Sequence, residues 1–432
     1  MKTKLLFAAA LSLSISQTAL SQTDELGYTS VNLSMGAQYQ NQVYFDLSSK
    51  NIISQPATGW DLAFYRNSAM DFGERVNDAN NVKVYQVSAT PAAFDTVTPA
   101  DKANWGDPLY NPDKTEALQD GVFDNATLLP TGGLNYSWGS YDIGTHKIMG
   151  KVVFVLEYGN GDYYKFFINE YSSGYTFKYA KWNGTTWDAT QTRTIASGTD
   201  DSYFNYFSFA TGAKVNNIEP PKANWDLMFT RYWTFYNNTM MYLMSGTIQS
   251  PNVIIAYVKP ETQATATNTL PAASSFSKGI TTIGHSWKGT SGFTPIAYED
   301  TVYYIKEGTK YYRLYFTSNG GASTGNMYFK YKDITAELAV ADFGKKGNFG
   351  IYPNPTKEDK KVNILFDVKE AASKDGNIQI FDFSGKKVHE TSIINKSGFS
   401  AQEVDLNKLS TGTYLVKITY GGQTETKKLI VK

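Results

Sequence analysis

The chain has 432 residues, room for two or three domains at roughly 150 residues each. Lys and Arg number 40 and Asp and Glu also 40, so the basic excess of a nucleic-acid binder is missing. Cysteine is absent and histidine occurs 3 times, which excludes disulfides, thiolate metal sites and iron–sulfur clusters and leaves few imidazoles for catalysis or ligation.

Aromatic residues make up 15% of the chain and charged residues 19%, a balance that fits an extracellular β-rich protein. Residues 1–21 read as a secretory signal: Lys2 and Lys4 open it, Leu5–Ile15 is apolar, and Ala19-Leu20-Ser21 offers small residues for cleavage. The apolar stretch is too short for a membrane-spanning helix, and no later segment reaches the necessary ~18 apolar residues, so no transmembrane span is expected.

The next segments alternate as strands do. Val43-Tyr44-Phe45-Asp46-Leu47 is followed by Trp60-Asp61-Leu62-Ala63-Phe64-Tyr65-Arg66, whose Trp60, Leu62 and Phe64 share a face. Gly159-Asn160-Gly161-Asp162 separates two apolar runs and supplies the positive φ angles of a hairpin. The motif then recurs as Trp225-Asp226-Leu227-Met228-Phe229-Thr230-Arg231. An aromatic strand precedes each copy. After each come, in the same order, a Trp (138, 287), an apolar strand (152–155, 302–305), a tyrosine-rich strand (163–167, 311–315) and Phe-Lys-Tyr (177–179, 329–331). This order predicts two copies of one β-domain, over 22–195 and 196–335. Trp60 and Trp225 are expected as core anchors. Asp61 and Asp226 are expected to bond locally or to pair with Arg66 and Arg231.

Residues 336–348 read as a linker, with Gly344-Lys345-Lys346-Gly347. Beyond it, alternating runs at Val362–Phe366, Ile378–Phe383, Tyr414–Ile418 and Lys428–Lys432, broken by Ser-Gly and Gly-Gly turns, predict a small β-sandwich over 349–432. The fold class is therefore all-β: two related β-sandwich domains and a small C-terminal Ig-like sandwich.

Tyr352-Pro353-Asn354-Pro355, Asp382-Phe383-Ser384-Gly385-Lys386, Leu409–Tyr414 and the Lys-rich end 427–432 resemble the type A C-terminal sorting domain of the Bacteroidetes type IX secretion system. The resemblance implies contact between 349–432 and that machinery, export across the outer membrane, and removal of the tail. The mature chain is then either attached to surface lipopolysaccharide or released.

The repeated Trp-Asp-Leu-x-Phe-x-Arg, the tyrosine hairpin and the closing Phe-Lys-Tyr resemble the HmuY-like family, whose founding members are haem-binding haemophores. The resemblance implies haem or another tetrapyrrole as the cofactor class, held between two His or Met side chains. The candidates are His146, Met149, Met240, Met241, Met244 and His285. His146 and His285 stand at different distances from the apolar strands that follow them, and His389 lies in the tail. The same residues are also compatible with core packing. No Gly-x-Ser-x-Gly, phosphate loop or His-Glu-x-x-His is present, so no catalytic residue is assigned and a non-enzymatic binding protein is expected. Asp71, Glu74, Asp78, Asn80 and Asn81 lack EF-hand spacing and read as a solvated turn, so no metal site is assigned. Three functions compete: surface capture of haem or a tetrapyrrole, a carbohydrate- or protein-binding surface module, and a secreted hydrolase.

Overall fold

The computed structural model describes residues 15–18, 23–66, 72–196, 201–237, 239–266, 269–338, 347–369, 371, 376–393 and 396–432. The chain is all-β, with its few helices no longer than six residues among the described residues. It divides into two compact units. One takes in the chain to Lys332 apart from 266–270 and 309–311, and the other those short segments with 333–432. Most of the expected leader 1–21 lies outside the described residues. Ile15–Thr18 runs as an edge strand beside Asn51–Pro56.

The first unit holds two apolar cores built on the same plan. One gathers Leu62, Phe64, Trp138, Phe154, Phe166 and Phe177. The other gathers Val43, Phe45, Leu227, Phe229, Trp287, Phe316 and Phe329. In each, the sheet carrying the Trp-Asp strand packs on a sheet of the tyrosine-rich and Phe-Lys-Tyr strands; the two sheets have four and eight strands in the first half and five each in the second.

The strands in front of each motif do not stay with it. Asn41–Phe45 pairs with the second motif's strand, Leu227–Tyr236, with Leu227 opposite Phe45. Thr29–Ser34 pairs with Asn326–Asp333. Conversely, Phe204–Ser208 pairs with the first motif's strand, Leu62–Tyr65, and Gln191–Ala196 pairs with Gly174–Lys181. The strands ahead of each motif thus complete the other half.

The two motif aspartates fasten this exchange. Asp226 Oδ2 accepts from the Leu47 amide at 2.8 Å, and Asp61 Oδ2 from the Phe209 amide at 2.7 Å. Their own amides donate to Phe45 O and Phe207 O. The expectation of local bonding is corrected: both carboxylates reach strands more than a hundred residues away. Arg66 instead binds Ser202 O and Asn205 Oδ1. Strand parity explains the failure, since residues five apart on a strand point to opposite faces.

A third apolar layer fills the space between the halves. Tyr206 packs edge-on against Trp60, and Tyr44 against Trp225, with centroids 4.9 and 5.3 Å apart. Trp225 is buried there, whereas Trp60 is half-buried. Trp60 precedes the strand that begins at Leu62, so it joins this middle layer and not the core of Leu62 and Phe64. Glu219 is buried in the same layer and accepts from Tyr206 Oη at 3.0 Å. Burial pushes its carboxyl up to about 7.

The stretch from Glu74 to Asn81 is likewise no solvated turn. Glu74 is 1% exposed and Asp78 7%. Burial raises Asp78 to about 7 and Asp124 to about 7, and burial with the neighbouring Asp124 raises Glu74 well above the usual carboxylate range.

The second unit is a sandwich of three strands on four. Gly347–Tyr352, Lys361–Val368 and Gly398–Asp405 form one sheet. Lys387–Ile393, Gly376–Phe381, Gly412–Tyr420 and Gln423–Val431 form the other. Val362, Ile364, Ile378, Val416 and Leu429 meet between them. The motifs have mechanical roles. Asn354 donates to Lys428 O and accepts from the Ile430 amide, pinning the last strand. Asp382 Oδ1 accepts from the Ser384 and Lys386 amides, and Gly385 supplies the φ of +83° that this turn needs.

Candidate functional site

A cavity of the second half lies against Met240–Gln249. That strand is last in its sheet, so its outer backbone edge is available between Met240 and Ser245. Four consecutive residues, Tyr242 to Ser245, line the cavity. A cavity above one face would take alternate residues only. This one wraps the strand edge. Its volume is about 520 Å³, within the usual range for small-molecule sites.

His285 reaches the cavity from the turn ahead of Trp287. Gly284 adopts φ +53° and pairs with Thr247, and a Cβ there would stand 2.8 Å from Thr281 O. Glycine therefore lets the chain pass close to the strand and deliver the imidazole. The imidazole Nδ1 hydrogen-bonds Tyr232 Oη at 2.9 Å, which leaves Nε2 for another partner. Burial and the nearby Lys288 hold its pKa below 6.5, so the ring is neutral at pH 7.

Of the six sequence candidates, the structure brings His285 and Met244 onto this one cavity. Met240 and Met241 line an adjoining, more open cavity of about 400 Å³, together with Tyr110 and Trp233. Arg231, Tyr242 and Leu243 border both. His146 and Met149 lie elsewhere, in the hairpin of Gly139–Asp142 and Lys147–Gly150. His146 is exposed at φ +58°, with its Nδ1 2.8 Å from Tyr141 Oη. Met149 is half-buried opposite Glu170.

The first half carries a matching Ser-Trp at 137–138, with Tyr136 where the second half has His285. There Phe72 packs on Tyr136, Trp138 and Tyr171, with centroids 5.7, 6.4 and 5.3 Å away.

Sequence reasoning missed Arg231 and Lys288, which also line the cavity. Lys288 Nζ donates to Ser245 Oγ and lies 5.7 Å from the Tyr39 ring centroid. Burial alone pushes its pKa down to about 8. The available signals were the motif's terminal Arg and the Lys that follows Trp287.

Comparison with known proteins places the two parts of the chain separately. Residues 38–183 match the HmuY protein family. This HmuY match runs unbroken through Asn41–Phe45 and Leu62–Tyr65, two strands that the structure assigns to different halves. Residues 350–432 match the secretion system C-terminal sorting domain. The chain is thus directed to the type IX secretion machinery, and through it to the cell surface or the extracellular space. Among the described residues no helix is long and apolar enough to cross a membrane, and no group of three or more His, Asp or Glu side chains is placed to hold a metal ion. No curated protein matches the chain. Among solved structures it is similar to a polysaccharide lyase at 9% identity, over 99% of this chain and 47% of that one. The TM-score is 0.17, and the chain spans about half the length of that lyase, so the likeness says nothing of activity.

Proposed function

We propose that this exported surface protein is a non-enzymatic binding protein that captures a haem or related tetrapyrrole in the cavity beside Met240–Gln249. The observation that carries the reading is the placement of His285 and Met244 on one cavity, walled by Tyr39, Tyr236 and Tyr242. Haem supplies an iron that takes a ligand on each face of a flat apolar ring. The donor set fits that need: a neutral imidazole with a free Nε2, oriented through Nδ1 by Tyr232, and a soft thioether. The aromatic walls suit the ring. None of the lining residues is a carboxylic acid, so the cavity offers no acid–base pair for glycoside hydrolysis.

The test is a haemin titration of the full chain followed in the Soret region. A saturable, sharpened band at one equivalent is expected, displaced in H285A and M244A variants that keep the wild-type melting temperature. The band should weaken as pH falls below the lowered His285 pKa, because the imidazolium has no lone pair to give. A spectrum that stays that of free haemin, or that is unchanged in H285A, overturns the reading.

A further inference from the structure

The cavity beside Met240–Gln249 holds cations and no anions. Arg231 and Lys288 line it, and its other lining side chains are neutral at pH 7. Both cations stand beside Ser245. Arg231 is directly across the ladder from Ser245, and Lys288 donates to Ser245 Oγ. Among the described residues neither forms an ion pair. Both are half-buried, and burial lowers the pKa of each. A cation withdrawn from water without a counter-charge is held at a cost, and an incoming anion removes that cost. Arg also offers a planar fork of donors that matches a carboxylate.

We infer that Arg231 and Lys288 form a carboxylate clamp flanking Ser245, so that the cavity selects an apolar, aromatic ligand bearing carboxylate side arms over its neutral counterpart. The inference rests on the cavity being the binding site. For a tetrapyrrole, the arms would be its acidic side chains, and the clamp would act independently of the ligation offered by His285 and Met244.

Iron-free protoporphyrin IX and its dimethyl ester separate the two contributions, since neither can be ligated through iron. Fluorescence titration of the full chain should show the diacid binding at least about tenfold tighter than the ester, the size expected of one charge-assisted contact. R231M and K288M should each shrink that preference, lowering the affinity for the diacid several-fold more than that for the ester. Equal binding of diacid and ester to the wild type overturns the clamp, as does an equal loss of both in the variants. If no porphyrin binds, the tetrapyrrole reading fails, and the clamp is decided by acetylation of Lys288 followed by mass spectrometry. The inference expects 2-naphthoate to slow that acetylation and neutral 2-naphthylmethanol to leave it unchanged. Equal rates in the two overturn it.

Discussion

Replacing Asp226 by alanine tests the strand exchange at its fastening point. Asp226 Oδ2 accepts from the Leu47 amide at 2.8 Å, and Leu47 is 1% exposed, so the amide has no water to turn to. A hydrogen bond to a charged acceptor contributes about 1.5–3 kcal/mol, and an orphaned buried donor places the loss toward the upper end. For a unit of this size, each kcal/mol lowers the melting temperature by about 2–4 °C, so a fall of about 5–10 °C is expected. Calorimetry gives the magnitude and hydrogen exchange gives the location. Because Leu47 follows Asn41–Phe45, protection should drop in residues 29–56 and 227–249. It should hold in 204–208 and 62–65, which Asp61 fastens. Loss of protection in 204–216 with 29–56 intact would mean that each motif keeps the strands ahead of it, and would refute the exchange.

Two further outcomes follow from the buried carboxyls and the tail. Glu74 and Asp124 have folded pKa values above their ordinary ones, so their contribution is fully present below the unfolded values and is lost as pH rises toward and past about 7. Stability by urea titration should therefore fall between pH 5 and 8, and E74Q should flatten that slope; a slope unchanged in E74Q would show that Glu74 is not its source. In the tail, N354A removes both bonds to the last strand, for about 1–2 kcal/mol, and should raise exchange at 428–432 while leaving 376–393 protected.

Local features were the legible ones. The Gly159–Asp162 turn carries its own positive-φ glycine at Gly161, so the hairpin of Val153–Glu157 and Tyr163–Tyr171 stands where the sequence puts it. The sorting tail is recognisable because Asn354 and Asp382 act on backbone within their own small domain. The strand exchange was not legible, since both repeats present the same Trp-Asp and the same aromatic strand. Nothing one-dimensional says whether Asp61 meets Leu47 or Phe209. The candidate site was half legible. His285 and Met244 are legible as soft ligands, whereas Arg231, five residues from Asp226 and so on the opposite face of the strand, lines the cavity and does not pair with that aspartate. Met240 and Met244 share parity and Met241 does not, yet Met240 falls with Met241 on the adjoining cavity and Met244 on the first, because each cavity takes consecutive residues of both parities along the strand edge.

The pairing of Thr29–Ser34 with Asn326–Asp333 joins the chain almost end to end within the first unit. The second half cannot close its sheet until residues 326–331 are available, so it is the last part of that unit to mature, however early its first strands emerge. Long-range closure of this kind slows folding. A chain cut short of Asn326 would therefore keep most of its strands and still leave the sheet beside the cavity open along Thr29–Ser34, so the integrity of that half is set by a segment some three hundred residues from its first strand.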